Sequence, residues 1–294
     1  MIHNLDNPFH KLKVRNLLLQ GSLISLSLGM ALGLVQGISN LTFDTQVVTL
    51  ILYIFIFGLL CLWVLADFHR LGINLRYVVG SVPSNYGWLP IIGLVLLLIL
   101  CSLSAYLVSF SLLSWIAPSF VEEVMRQVAS NPSLQNSAPL LNNLLSAIAT
   151  VVVAPITEEF IFRGVILQRW AAKWGIRTAL IISSLIFGIL HANFLGLSLF
   201  GVVMGVLYIK TRTLIVPIVC HALNNLLAVT VGLLSHGSQT TTNVNNLEQL
   251  RSGLGTGVIL MLISLPLLIR FLWQNWPRRD APVPYLVNAS QADM

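Results

Sequence analysis

A chain of 294 residues that is 56% hydrophobic and only 9% charged, with a mean hydropathy of +0.85, lies far from the roughly 25% charged composition of soluble domains. It reads as an all-α, polytopic membrane protein, a bundle of about eight helices whose first partner is the lipid bilayer. The net charge of +6 does not point to nucleic acid, because the basic residues are spread among short loops and do not cluster with aromatics.

At the N-terminus Lys11, Lys13 and Arg15 precede an apolar run from Leu17 to Ile38. That run is too long for a signal-peptide core and lacks a small-x-small cleavage site, so it is the first span. Further spans are placed at 46–66, 88–116, 140–168, 178–194, 196–209, 213–235 and 254–273 from the recurrence of long apolar runs. The fifth and sixth are short, and Tyr208 with the tight turn Asn193-Phe194-Leu195-Gly196 suggests a hairpin of incomplete crossing. With the N-terminus in the cytoplasm, every basic residue falls on the inner side except Arg126, Arg251 and the intramembrane Arg163. That distribution supports eight crossings and two cytoplasmic termini.

The connecting segments carry weaker signals. Segment 117–139, with Glu122, Glu123 and Arg126 between Pro118 and Pro132, reads as a loop holding a short outer helix, and 236–252 as a flexible Ser/Thr/Asn-rich outer loop. The tail from Trp276 to Met294, with Pro277, Pro282 and Pro284, reads as disordered. Cys61, Cys101 and Cys220 all lie inside apolar runs and read as small core residues, with neither a disulfide framework nor a CxxC metal site.

Chemistry concentrates in the fourth span. The stretch Pro155-Ile156-Thr157-Glu158-Glu159-Phe160-Ile161-Phe162-Arg163 puts three formal charges in an apolar segment, where each disfavours insertion by about 2.5–3.5 kcal/mol unless it finds a partner, a wet cavity or a task. Glu159 and Arg163 stand at i,i+4 with the acid first, the favoured order for an ion pair. Glu158 lies about 100° round the helix from Glu159 and has no fixed cation in its own segment. Pro155 removes a backbone hydrogen bond three residues earlier and predicts a kink.

Two other spans carry polar groups that do not belong in lipid: His191, one turn after Phe187, and His221, one turn before Asn225. Counting 1.5 Å per residue from the basic residues at the inner edge puts Glu158 about 16 Å, His191 about 21 Å and His221 about 14 Å into the membrane. Taken singly, each has an ordinary structural reading, such as an interhelical hydrogen bond. Jointly, they suit one buried, water-accessible cavity. A glutamate with a histidine can deprotonate water, and a second histidine with an amide can donate to an oxyanion, the parts for adding water to an amide or thioester carbonyl. Glu158, His191 and His221 are equally a donor set for a divalent metal such as zinc with a position left for water. No HExxH helix is present.

These residues resemble those of the CAAX prenyl protease 2 (Rce1-like) intramembrane proteases, grouped with bacterial bacteriocin-processing and Abi-type proteins as the CPBP family. The resemblance lies in three ordered motifs over about 154–225: EExxxR as Glu158, Glu159 and Arg163, FxxxH as Phe187 and His191, and HxxxN as His221 and Asn225. It implies an intramembrane endopeptidase, of metallo- or glutamate type, in which Glu158 and His191 activate water, His221 and Asn225 form the oxyanion hole, and Glu159 and Arg163 orient the site. It implies a catalytic core at 140–235, flanked by three spans and an outer loop at 1–139 and by an outer loop, last span and tail at 236–294. The expected partners are the bilayer and a protein or peptide substrate, lipidated in some members. The expected location is a bacterial plasma membrane. A non-proteolytic adaptor or immunity protein with the same fold is the alternative, and an ion or proton transporter ranks below it, since no inverted repeat is visible.

Overall fold

The computed structural model describes residues 7–39, 45–129, 139–237 and 247–292, and all of its regular structure is helical. A 3-10 turn, Pro8–Lys11, is followed by α1 (Val14–Ser39), α2 (Thr45–Leu71), a short α3 (Leu75–Val79), α4 (Leu89–Ile116) and α5 (Pro118–Ala129). One continuous rod then runs through α6 (Pro139–Ile148), a π-helical stretch Ala149–Val153, α7 (Ala154–Glu159), a second π-helical stretch Phe160–Leu167 and α8 (Gln168–Trp174). The chain continues as α9 (Ile176–Ile189), α10 (Phe194–Thr211), α11 (Ile215–Gly237), α12 (Leu247–Ser252), α13 (Leu254–Asn275) and α14 (Pro284–Ala292).

A helix stands at each of the eight predicted positions. Six helical stretches among the described residues are long and apolar enough to cross a bilayer: Val14–Ile38, Val47–Leu71, Leu89–Ile116, Leu141–Trp174, Phe194–Thr211 and Leu247–Asn275. Ile176–Ile189 and Ile215–Val231 are shorter apolar helices. Of the predicted hairpin it is therefore α9 that is short, at 14 residues or about 21 Å, while α10 has spanning length. Tyr208 is not a sign of a shallow helix. It is fully buried, donates to the Val78 carbonyl at 2.8 Å and accepts from Gln168 Nε2 at 2.7 Å, locking α10 to α3 and α8. Large apolar side chains such as Leu18, Leu26, Leu34 and Ile38 on α1 face outward, the pattern of an integral, multi-pass membrane protein.

The rod from α6 to α8 bends its hydrogen-bond register where the sequence carries Pro155. The Ala154 N–H bonds to the Ala149 carbonyl, five residues back, in place of the usual four. The interruption expected from Pro155 takes the form of π-helical turns, and the helix continues through it.

The tail is ordered, contrary to expectation. α14 buries Tyr285 and Val287, with Tyr285 packed edge-on to Phe9 at 5.3 Å, and Asn288 Nδ2 donates to the Tyr77 and Arg212 carbonyls, each at 2.8 Å. Its composition is polar enough to suggest disorder, but it docks on an apolar seat made by the N-terminal turn and α3. The Arg212 carbonyl lies so close to Gly80, at φ +67°, that no Cβ fits there. Of the segments read as outer loops, 118–129 is the expected short helix, which buries Val121 against Phe110 and Leu250. The expected loop at 236–252 lies partly outside the described residues and ends in α12.

Candidate active site

The centre of the bundle holds a charged knot. Glu159, fully buried on α7, accepts from Arg163 Nη1 at 3.0 Å and from His221 Nδ1 of α11 at 2.9 Å, both on Oε1. Its second oxygen, Oε2, is buried with no hydrogen-bond partner among the described residues. Arg163 is also buried and donates through Nη2 to the Gly201 carbonyl of α10 at 3.0 Å. A carboxylate paired with arginine only accepts, so His221 carries its proton on Nδ1 and leaves Nε2 for other work.

Phe187 organises the rest. Completely buried on α9, its ring lies 4.8 Å under the Arg163 guanidinium, a cation–π distance. The same ring meets His191 at 4.6 Å, Phe162 edge-on at 5.1 Å and His221 edge-on at 6.1 Å, while Phe200 closes on His221 at 4.9 Å. The FxxxH spacing therefore does two things: it seats an aromatic under the arginine and brings His191 against the same ring. His191 Nδ1 lies 2.6 Å from the Phe187 carbonyl. A carbonyl cannot donate, so Nδ1 carries the hydrogen and Nε2 is the ring's free nitrogen. The turn after His191 is held by Asn193, which accepts from the Gly196 N–H and donates to the Ser102 carbonyl of α4 at 2.8 Å.

Glu158 faces elsewhere than its neighbour. It is half-buried and accepts from the Tyr53 hydroxyl of α2 at 3.2 Å. It makes no direct hydrogen bond to either histidine. Asn225, half-buried on α11, donates through Nδ2 to the Thr150 carbonyl at 2.8 Å, and Asn224 Nδ2 approaches Asn225 Oδ1 at 3.4 Å. The structure thus ties Glu159, Arg163 and His221 together directly, joins His191 to them through Phe187, and places Glu158 and Asn225 on the same rod, one by its own backbone and one through Thr150.

Among the described residues, no three His, Cys, Asp or Glu side chains gather closely enough to hold a metal ion. Of the candidate donors Glu158, His191 and His221, both histidines engage Nδ1 and leave Nε2 free, while Glu158 accepts from Tyr53. Sequence reasoning missed Tyr53. The available signal was a lone hydroxyl between Thr49 and Asp67 in an otherwise apolar span. It also passed over Phe200, which nothing in the sequence distinguishes from core.

Residues 139–227 match the family described as type II CAAX prenyl endopeptidase Rce1-like. The chain is 38% identical over 92 residues to the Bacillus subtilis (strain 168) protein named "Putative membrane peptidase YdiL", a match that spans 30% of this chain and 38% of that relative. No solved structure matches. Residues 139–227, the segment similar to the Rce1-like family, contain the glutamate pair, both histidines and the asparagine just described.

Proposed function

We propose that the protein is an intramembrane endopeptidase in which Glu158 is the general base and His191 the partner that orients water. The observation that carries the reading is the division of labour between adjacent glutamates. Glu159 is consumed by Arg163 and His221, whereas Glu158 keeps a half-buried carboxylate whose hydrogen-bond partner among the described residues is Tyr53. A buried, doubly engaged carboxylate builds structure; a half-exposed one can exchange protons.

In this reading water lies between Glu158 and the free Nε2 of His191. Its oxygen adds to the scissile carbonyl while its proton passes to Glu158. The negative oxygen that forms is met by His221 Nε2–H and Asn225 Nδ2–H. Donation from Nε2 requires the His221 ring to carry both protons, and the Glu159 carboxylate supplies the counter-charge. The Glu158 proton then passes to the leaving nitrogen, the C–N bond breaks, and a carboxylic acid and an amine are released, the acid's proton passing to the amine to give carboxylate and ammonium. The match to a family described as CAAX prenyl endopeptidase supports a peptide substrate.

The test is hydrolysis by the purified, lipid-reconstituted protein of a farnesylated CAAX-type peptide and of the same peptide without the lipid, read by mass spectrometry of the products. Cleavage of either supports the endopeptidase reading, and cleavage of the lipidated peptide alone identifies the substrate class. Hydrolysis of neither sinks it.

A further inference from the structure

Pro155 has a consequence for the site beyond the bent register. In the π-helical stretch the Ala154 N–H takes the Ala149 carbonyl, so the next bond in the same register would run from residue 155 to the Thr150 carbonyl. Proline has no N–H to give. A carbonyl left without a partner inside a bundle is costly, so another donor is favoured there. That donor is Asn225 Nδ2, at 2.8 Å.

The bond decides how the Asn225 amide faces. Only the NH2 end of an amide can donate to a carbonyl, which assigns the two ends of the side chain chemically. Oδ1 is then directed to the Asn224 side, where Nδ2 lies 3.4 Å away. One Nδ2 proton is spent on Thr150, and the second remains for a ligand.

We propose that Pro155 is a positioning residue for the reaction: by withholding the N–H that Thr150 would otherwise take, it reserves that carbonyl for Asn225 and so aims the amide's second N–H at the forming oxyanion. The inference rests on the oxyanion role given above to Asn225.

Pro155→Ala restores the backbone donor. In either the π or the α register, the Thr150 carbonyl then has a main-chain partner and Asn225 loses its anchor. Alanine is the best helix former, so the variant is expected to fold. With the cleaved peptide of the preceding test as probe, kcat is expected to fall about tenfold or more, short of the roughly 10²–10³-fold loss for deleting an oxyanion donor, with KM unchanged. In an Asn225→Ala background, Pro155→Ala should cost nothing further. A loss of equal size in both backgrounds, or an unchanged kcat in the single variant, overturns the proposal. A crystal structure of Pro155→Ala gives a readout independent of activity: the 2.8 Å contact should be broken, and its persistence overturns the proposal even if the wild type cleaves neither peptide. Full kcat in Asn225→Ala would fault the oxyanion role itself and with it any bearing of Pro155 on the reaction, a failure distinct from persistence of the contact.

Discussion

His221 Nδ1 stands 2.9 Å from Glu159 Oε1, so the histidine of the HxxxN motif is bonded to the second glutamate of EExxxR and not to the first. Two adjacent acids thereby acquire different roles. Glu159→Gln leaves Arg163 buried without a counter-charge, a change that costs about 3–5 kcal/mol when one partner of a buried pair is removed. It should lower the thermal midpoint of the detergent-solubilised protein markedly. Glu158→Gln should leave that midpoint unchanged while reducing peptide cleavage by about 10²–10⁴-fold, the range attached to a general base. Equal effects of the two substitutions on stability would contradict this separation.

Tyr53 reaches Glu158 from a helix outside the family-matched segment. Tyr53→Phe removes one hydrogen bond, worth about 0.5–1.5 kcal/mol. The expected outcome is a two- to tenfold change in kcat, roughly that energy expressed as a rate, with the melting temperature unaffected. A loss as large as that of Glu158→Gln would mean that the tyrosine acts on substrate directly.

Metal dependence is open to a simple measurement. Because no three candidate ligands gather among the described residues, prolonged dialysis against a chelator should leave cleavage unchanged. Activity that is lost and then restored by zinc would require the site to rearrange around an ion and would rewrite the mechanism.

The α9–α10 hairpin that carries His191 is packed through small residues. A Cβ on Gly188 would lie 2.6 Å from the Phe194 carbonyl and 2.8 Å from the Ser198 nitrogen, which are backbone atoms with little room to yield. One on Gly205 would meet the flexible end of Leu180. Gly188→Ala should therefore cost at least the 1–3 kcal/mol typical of overpacking and disturb His191, three residues on. Gly205→Ala should be tolerated better. Thermal shift and cleavage measured on both would show whether the ordering holds.

Deleting α14 tests the ordered tail. A chain ending before Pro284 loses the Tyr285–Phe9 contact and both hydrogen bonds of Asn288. Asn288→Ala alone strips the Tyr77 and Arg212 carbonyls of that donor and should cost about 0.5–1.5 kcal/mol for each bond lost. An unshifted melting curve for the truncation would show that the helix is dispensable to the bundle.

Much of this was legible in the residues. The periodic apolar runs gave the helices, since backbone polar groups in lipid must be satisfied within the segment. The i,i+4 spacing brought Glu159 to Arg163 and separated Glu158 from both, because those angles are fixed by helix geometry alone. The tail was misread because proline and polar composition describe the segment itself and say nothing of the seat on Phe9 and Tyr77 that orders it.

What the sequence determined, then, was everything local: helical spans, the ion pair within one turn, and the two histidines and the amide as polar intruders. Only the tertiary structure decided which acid His221 would bond, that Tyr53 would come from α2 to Glu158, and that Asn225 would answer the donor missing at Pro155. Those pairings join residues 62, 105 and 75 positions apart, and at such separations it is the packing of one helix on another, not the period within it, that sets distance.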